Sequence, residues 1–281
     1  MKANAIGDVM IKAVTIDLWG TILVDSPAAD ERYRRERLAG LENTLLRFGF
    51  RVPGAELERA YSESGRHLHH IWRRWRDVPV ERHVTLLLQA VNPSLPGRVG
   101  EKALAALTEA YANPALVASP ALDQGASKAL EALAARGILI GLVSNTLRTP
   151  GSALRTILKR HGVLDHFKAT VFSDECGIRK PDSSIFDLAV ERMGVRRRET
   201  AHVGDDPILD VEGARKAGLR VIHLRAGTEW STRYTPDAVL ERFEDLPDVL
   251  ADLDRAERRP AANPAIARLR PRFARRFPTF R

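Results

Sequence analysis

Five short runs of apolar and β-branched residues, each set against a stretch of helical period, constrain this chain more than any other feature. They fall at residues 13–18, 137–143, 169–172, 201–203 and 220–224, and their length and bounding turn residues read as buried strands. Strands that alternate with helices pair in parallel, with right-handed crossovers. The interval between the first run and the second is different: more than 100 residues there show helical and not strand patterning. Helices are expected at 30–48, 55–76, 79–91, 98–112 and 123–136, with a break at 91–97 and the last helix returning to the main domain. The fold class is therefore α/β, a Rossmann-like parallel sheet core over 11–24 and 120–250. A mainly helical domain is inserted over 25–119, and an Arg/Pro-rich tail runs over 256–281.

Composition excludes some function classes once charge is located along the chain. The net charge of +8 resides in the tail, where residues 258–281 carry eight arginines and no acid. The remaining body is neutral, so the high isoelectric point is no argument for a nucleic-acid partner beyond nonspecific contact by the arm. Four prolines interrupt that arm, which reads as flexible and solvated. The single cysteine, Cys176, forms no internal disulfide, suits a reducing compartment, and reads as a buried structural thiol. No run of ~18 apolar residues and no signal-peptide core occurs, so no membrane span and a cytoplasmic location are expected.

Four segments lie at or just past strands, at the edge where open parallel sheets place ligands. Asp17-Leu18-Trp19-Gly20-Thr21 ends the first strand in an acid that burial penalises unless it is paired or metal-bound. Val143-Ser144-Asn145-Thr146 offers a hydroxyl and free backbone N–H groups to an anionic oxygen. Gly177-Ile178-Arg179-Lys180-Pro181-Asp182 brings a lysine before a proline that could open the next helix. His202-Val203-Gly204-Asp205-Asp206-Pro207-Ile208-Leu209-Asp210 ends a strand in acids, with Pro207 in the first turn of a following helix. If Asp17 and Asp205 converge within ~4 Å, their repulsion is on the order of 4 kcal/mol at an effective dielectric of 20, and a cation is needed between them. Oxygen ligands without histidine or thiol favour Mg2+ over zinc, with Lys180 adding positive charge.

In order and spacing these four segments resemble the motifs of the haloacid dehalogenase superfamily, over nearly all of residues 11–225. The resemblance implies Asp17 as nucleophile and Ser144 and Lys180 as groups that bind the transferring moiety. It implies a metal site of Asp17, Asp205 and the Trp19 backbone carbonyl, with Asp210 in support, and a helical cap over the site; Asp206, a further supporting acid, reads as the N-cap of the following helix more than as a metal contact. Ser144, Asn145, Trp19 and Lys180 are the expected substrate contacts. One departure bears on mechanism: family phosphatases carry a second acid two residues after the nucleophile, and here that residue is Trp19. An indole does not exchange a proton, a loss typically worth ~10²–10⁴ in rate. A cap residue could substitute, the leaving group could need no proton, or the protein could be slow. The family's dehalogenases carry an aromatic at this position, but they need no metal and lose the acid that Asp205 supplies here. The reading is a Mg2+-dependent phosphatase of a small anionic metabolite, acting through an aspartyl-phosphate, in a monomer or homodimer. The alternatives are a 2-haloacid dehalogenase or a weakly active member that binds a ligand or partner.

The most unusual part of the insertion is the run from His67 to Arg76. On one helix, Leu68, Trp72 and Trp75 form an apolar stripe backed by a basic solvated face. A sharper alternative places its histidines and arginines over the active site, selecting an anion and replacing the missing acid.

Overall fold

A computed structural model describes residues 10–225 and 234–257. The expectations for the first residues of the chain and for the arginine-rich arm beyond 257 lie outside the described residues. The chain opens with the fully buried strand β1 (Ala13–Ile16) and the short β2 (Leu23–Val24). Four long helices follow, α1 (Ala29–Arg47), α2 (Gly54–Trp72), α3 (Val80–Val91) and α4 (Leu95–Ala112), and then one turn, α5 (Pro114–Val117). β3 (Ala121–Leu122) pairs antiparallel with β2, so the chain enters and leaves the helical insertion through one narrow ribbon.

Strand and helix then alternate. In order come α6 (Ala126–Ala135), β4 (Leu139–Ser144), α7 (Gly151–Arg160), β5 (Phe167–Phe172), α8 (Ser173–Cys176) and α9 (Ser183–Met193). β6 (Thr200–Gly204) is followed by a π-helical turn, Pro207–Glu212, that runs into α10 (Gly213–Lys216). β7 (Arg220–Leu224), β8 (Ala238–Leu240) and α11 (Leu246–Glu257) complete the described fold. Six strands form one sheet in the order β5-β4-β1-β6-β7-β8, every pair parallel. β1 sits between β4 and β6, so successive connections run to opposite sides of it. That switch point, at the carboxyl end of β1, is where such sheets hold ligands.

Period-two alternation splits the core between the two faces of the sheet. Leu142 packs with Leu130, Leu133, Leu154 and Ile157 of α6 and α7, whereas its neighbour Val143 packs with Ile185, Phe186 and Ala189 of α9. The insertion has an apolar centre of its own, in which Leu41, Leu57, Leu87, Leu88, Leu107 and Tyr111 meet. Among the described residues no helix is long and apolar enough to cross a membrane.

Several boundaries differ from expectation, each for a local reason. α2 stops at Trp72, because Trp75 adopts a left-handed conformation with φ of 56°. The expected stripe breaks there: Leu68 is buried and Trp72 half-buried, but Trp75 is exposed. α4 begins before the expected break ends, and it is kinked at Gly100, whose φ is 69°. Pro181 does not open α9; Asp182 caps that helix by accepting from the Ser184 N–H. β8 carries too few residues to stand out as a periodic run. Leu107 is completely buried within the insertion, so Leu107→Ala should lower stability in urea unfolding by about 2–5 kcal/mol. A loss below about 1 kcal/mol would show that these helices share no close-packed core.

Candidate active site

Three of the four segments converge at the carboxyl edge of β1 and β6. Asp17 follows β1 directly, and the turn after it is tight: Gly20 donates to the Leu23 carbonyl while Ile22 and Leu23 donate to Leu18. This pattern leaves the Trp19 carbonyl outside the turn's backbone bonds. Gly20 has φ of 79°, and a Cβ there would lie 2.5 Å from the Asp205 carboxylate. Only glycine accepts both the conformation and the approach. Gly204, in ordinary strand conformation, leaves room for the Asp210 carboxylate, which an added Cβ would meet. Gly20 thus lets Asp205 approach the turn that follows Asp17, and Gly204 lets Asp210 pack against the end of β6. One oxygen each from Asp17, Asp205 and Asp210 lies within 4.8 Å of the others.

Lys180 enters this cluster from the loop before α9. Its buried ammonium donates to Asp17 and, at 2.7 Å, to Asp210. Asp210 also accepts from the Asp206 backbone N–H and contacts His202 Nε2 at 3.0 Å. The other ring nitrogen of His202 meets Thr15 Oγ1 at 2.9 Å. Thr21 spans the two remaining acids, 3.2 Å from Asp17 and 3.3 Å from Asp205.

The charges do not balance. Burial pushes Asp17 up to about 7 against the pull of Lys180, and Asp210 and Asp205 add to the rise. Asp205 is also raised, first by burial and then by Asp210. Burial would raise Asp210 as well, but Lys180 and His202 outweigh it and hold Asp210 ionised. Burial lowers His202 below its usual range, so the imidazole is neutral. Three carboxylates thus face one ammonium, a deficit of two positive charges that one divalent cation removes. The donors are hard oxygens, so the residues present fit Mg2+.

The other predicted residues divide by role. Ser144, at the end of β4, is buried with no partner for its hydroxyl, a donor open to a ligand oxygen. Trp19 is half-buried and its indole N–H is likewise unpartnered. Asn145, expected to bind substrate, instead clamps Lys180: its amide donates to the Lys180 carbonyl at 3.0 Å and accepts from the Lys180 N–H at 2.8 Å. Asp206 caps the π-helical turn by accepting from Ile208 and Leu209. Its side chain is not in the carboxylate cluster. Cys176 is half-buried, and burial pushes its thiol up.

Trp19 also lines a chamber of about 490 Å³ between the insertion and the loops that follow β1 and β4. His67, His69 and His70 are exposed and line no part of it, so the placement of these histidines over the site does not hold. Of the aromatic residues in that run, Trp72 alone contributes.

Sequence reasoning missed the residue that ties the insertion to the catalytic loops. Asp77 follows α2 and is buried; its Oδ2 accepts from Ser173 Oγ and Arg179 Nη1, each at 2.5 Å. Its other oxygen takes the Trp72 indole N–H at 2.8 Å. Backbone bonds join Asp77 to Gly177 and Arg179 to Trp75, and Arg76 pairs with Asp182 at 2.7 Å. The segment after α2 is thereby fastened along the loop that presents Lys180. Nothing in the local pattern marks Asp77, because apart from Trp72 its side-chain partners lie about 70–100 residues away in sequence. Asp77→Ala would leave Arg179 buried without its counter-ion and should cost about 3–5 kcal/mol of stability, measured by urea unfolding. A loss under about 1 kcal/mol would remove this contact from the account.

Comparison with known proteins agrees with this geometry. Residues 11–218 match the family described as haloacid dehalogenase-like hydrolase. The glyceraldehyde 3-phosphate phosphatase of Methanopyrus kandleri is 29% identical over 254 residues, covering 87% of this chain and 99% of that protein. A phosphoglycolate phosphatase of Yersinia pseudotuberculosis is 27% identical over 84% of this chain and 91% of its own length. Among solved structures, a 2-haloacid dehalogenase from Pseudomonas syringae pv. Tomato is similar with a TM-score of 0.65 and 25% identity. That likeness covers 86% of this chain and 99% of the other. The chain belongs to the haloacid dehalogenase-like hydrolases and is a hydrolase enzyme.

Proposed function

We propose that this chain is a Mg2+-dependent phosphatase that hydrolyses a small phosphorylated metabolite through an aspartyl-phosphate on Asp17. The observation that carries the reading is the cluster of three carboxylates around a single lysine. Attack by Asp17 on carbon would need no divalent ion, and a site built for it alone would have no use for Asp205 beside Asp17. Mg2+ held by Asp17, Asp205 and the Trp19 carbonyl would polarise a phosphoryl oxygen and offset the excess negative charge.

Within that frame each side chain has a definite task. Asp17 attacks phosphorus, and the substrate's alkoxide leaves as the aspartyl-phosphate forms. Lys180 stabilises the negative charge of the transferring group from a position that Asn145 and Asp210 fix. Ser144, whose hydroxyl has no other partner, donates to a phosphoryl oxygen. Water then hydrolyses the acyl phosphate and returns Asp17. Trp19 gives no proton to the departing oxygen, so the site favours leaving groups that depart readily as anions. The phosphatases among the relatives support phosphorus as the electrophile, and the dehalogenase likeness makes attack on carbon the reading to exclude.

The test is hydrolysis of p-nitrophenyl phosphate with Mg2+ and with EDTA. Turnover should require Mg2+ and fall to background in Asp17→Asn. In Trp19→Asp, turnover of alkyl phosphates should rise by about 10²–10⁴. Chloride release from 2-chloropropionate in the presence of EDTA, with no phosphate release, would overturn the proposal in favour of dehalogenation.

A further inference from the structure

Two arginines in the chamber beside Trp19 have no role in the chemistry above. Arg37 of α1 is buried, and Arg148 lies in the loop after β4. Among the described residues neither makes an ion pair with a carboxylate. They are held by tyrosines: Arg37 donates to the Tyr111 carbonyl at 2.7 Å and to the Tyr61 hydroxyl at 3.2 Å. Arg148 donates to the Tyr111 hydroxyl at 2.5 Å and stacks 4.0 Å from the centre of the Tyr61 ring. Arg37 lies over the Tyr111 ring at 4.9 Å. The packing also leaves room for Arg148, since a Cβ on Gly65 of α2 would lie 2.6 Å from its Nη2.

Burying or half-burying two guanidiniums without counter-ions is unfavourable unless a ligand supplies the negative charge. The positive field is felt nearby: burial first, then Arg148, Arg37 and Arg179, hold His83 down at about 3. The acids that line the chamber are elsewhere. Asp30 and Glu31 are exposed, Glu31 pairs with Arg34 at 3.2 Å, and Asp25 is engaged by the Tyr33 hydroxyl at 2.9 Å. Arg34 lines the chamber too, so the outer part carries both signs of charge, and the chamber is cationic where Arg37 and Arg148 meet.

We propose that Arg37 and Arg148 bind a carboxylate of the substrate, so that the enzyme acts on a small phosphate monoester that also carries a carboxylate. This rests on the phosphatase reading for the identity of the reacting group, though the anion site itself does not. A carboxylate fits better than a second phosphate. Tyrosine and backbone contacts already occupy several of the guanidinium donors, which leaves fewer than the three oxygens of a second phosphate would engage. Trp19, Tyr61 and Trp72 supply the apolar walls that a short carbon chain would meet. Trp19, two residues after Asp17, is the residue of the nucleophile's turn that lines the chamber, and the substrate would lie past it, with its phosphate at Asp17 and its carboxylate at the arginines.

The experiment compares 2-phosphoglycolate with ethyl phosphate, which lacks the carboxylate, in two ways. In Mg2+, kcat/KM should favour 2-phosphoglycolate by about 10–100-fold. Arg148→Met and Gly65→Ala, which crowds the guanidinium without removing it, should each bring that ratio toward one. Arg73→Met, on the exposed end of the insertion's second helix, should leave the ratio as it is. The same pair of ligands is titrated calorimetrically into the Asp17→Asn chain, where no turnover is needed. There 2-phosphoglycolate should bind at least about tenfold more tightly than ethyl phosphate, and Arg148→Met should abolish the difference. Equal binding of the two ligands, or binding of neither, overturns the carboxylate site. A clear binding preference without Mg2+-dependent hydrolysis of either ligand or of p-nitrophenyl phosphate would overturn the phosphatase reading and leave the carboxylate site standing.

Discussion

The site depends on one shared ammonium. Lys180 is buried among carboxylates and donates to both Asp17 and Asp210, but a single positive charge satisfies only one of them. Asp210 wins, because neutral His202 and the Asp206 backbone N–H add to its support. Asp17 is left with a raised pKa, reluctant to ionise in the form a nucleophile needs. An oxygen-ligated divalent cation resolves that conflict, since it stabilises ionised Asp17 and Asp205 together. Nucleophile, metal site and lysine are therefore one electrostatic unit.

The rest of the fold positions that unit. The parallel sheet brings the ends of β1 and β6 side by side; Gly20 lets Asp205 approach the turn after Asp17, and Gly204 lets Asp210 pack beside it. Asn145 grips the Lys180 backbone from the end of β4, so three strands converge on one ammonium. The helical insertion is fastened to the Lys180 loop through Asp77 and Arg179. Its helices roof the chamber beside Trp19. A substrate that fills the chamber would be held by groups from both parts of the molecule, which couples recognition to the placement of its phosphate.

Much of this was legible in the sequence. The five apolar runs marked five of the six strands of the main sheet. The acids, serine and lysine at their ends stood out because burying such groups needs a compensating partner. β8 was too short to register, and β2 and β3, two residues each, carry no periodic signal at all. Long-range pairing was the harder part. Asp77, Arg37 and Arg148 read as ordinary polar residues of helices and loops, and only their distant partners give them meaning. The histidine run misled for the opposite reason. Its unusual composition suggested a site, but α2 presents those side chains to solvent. Asn145 sits beside Ser144 in the strand-end segment, yet its amide faces the Lys180 backbone, which spacing does not reveal.

The most direct measurement of the central claim is a carboxyl-carbon NMR titration of the aspartates, without and with Mg2+. Without the ion, Asp17 should take up its proton near pH 7. The unfolded chain would release that proton near 3.8, so the metal-free protein should lose stability as pH rises between those values. With saturating Mg2+ the Asp17 titration should move well down and that loss should disappear. An Asp17 that titrates in the ordinary carboxylate range without Mg2+, or whose titration Mg2+ does not move, would contradict the account.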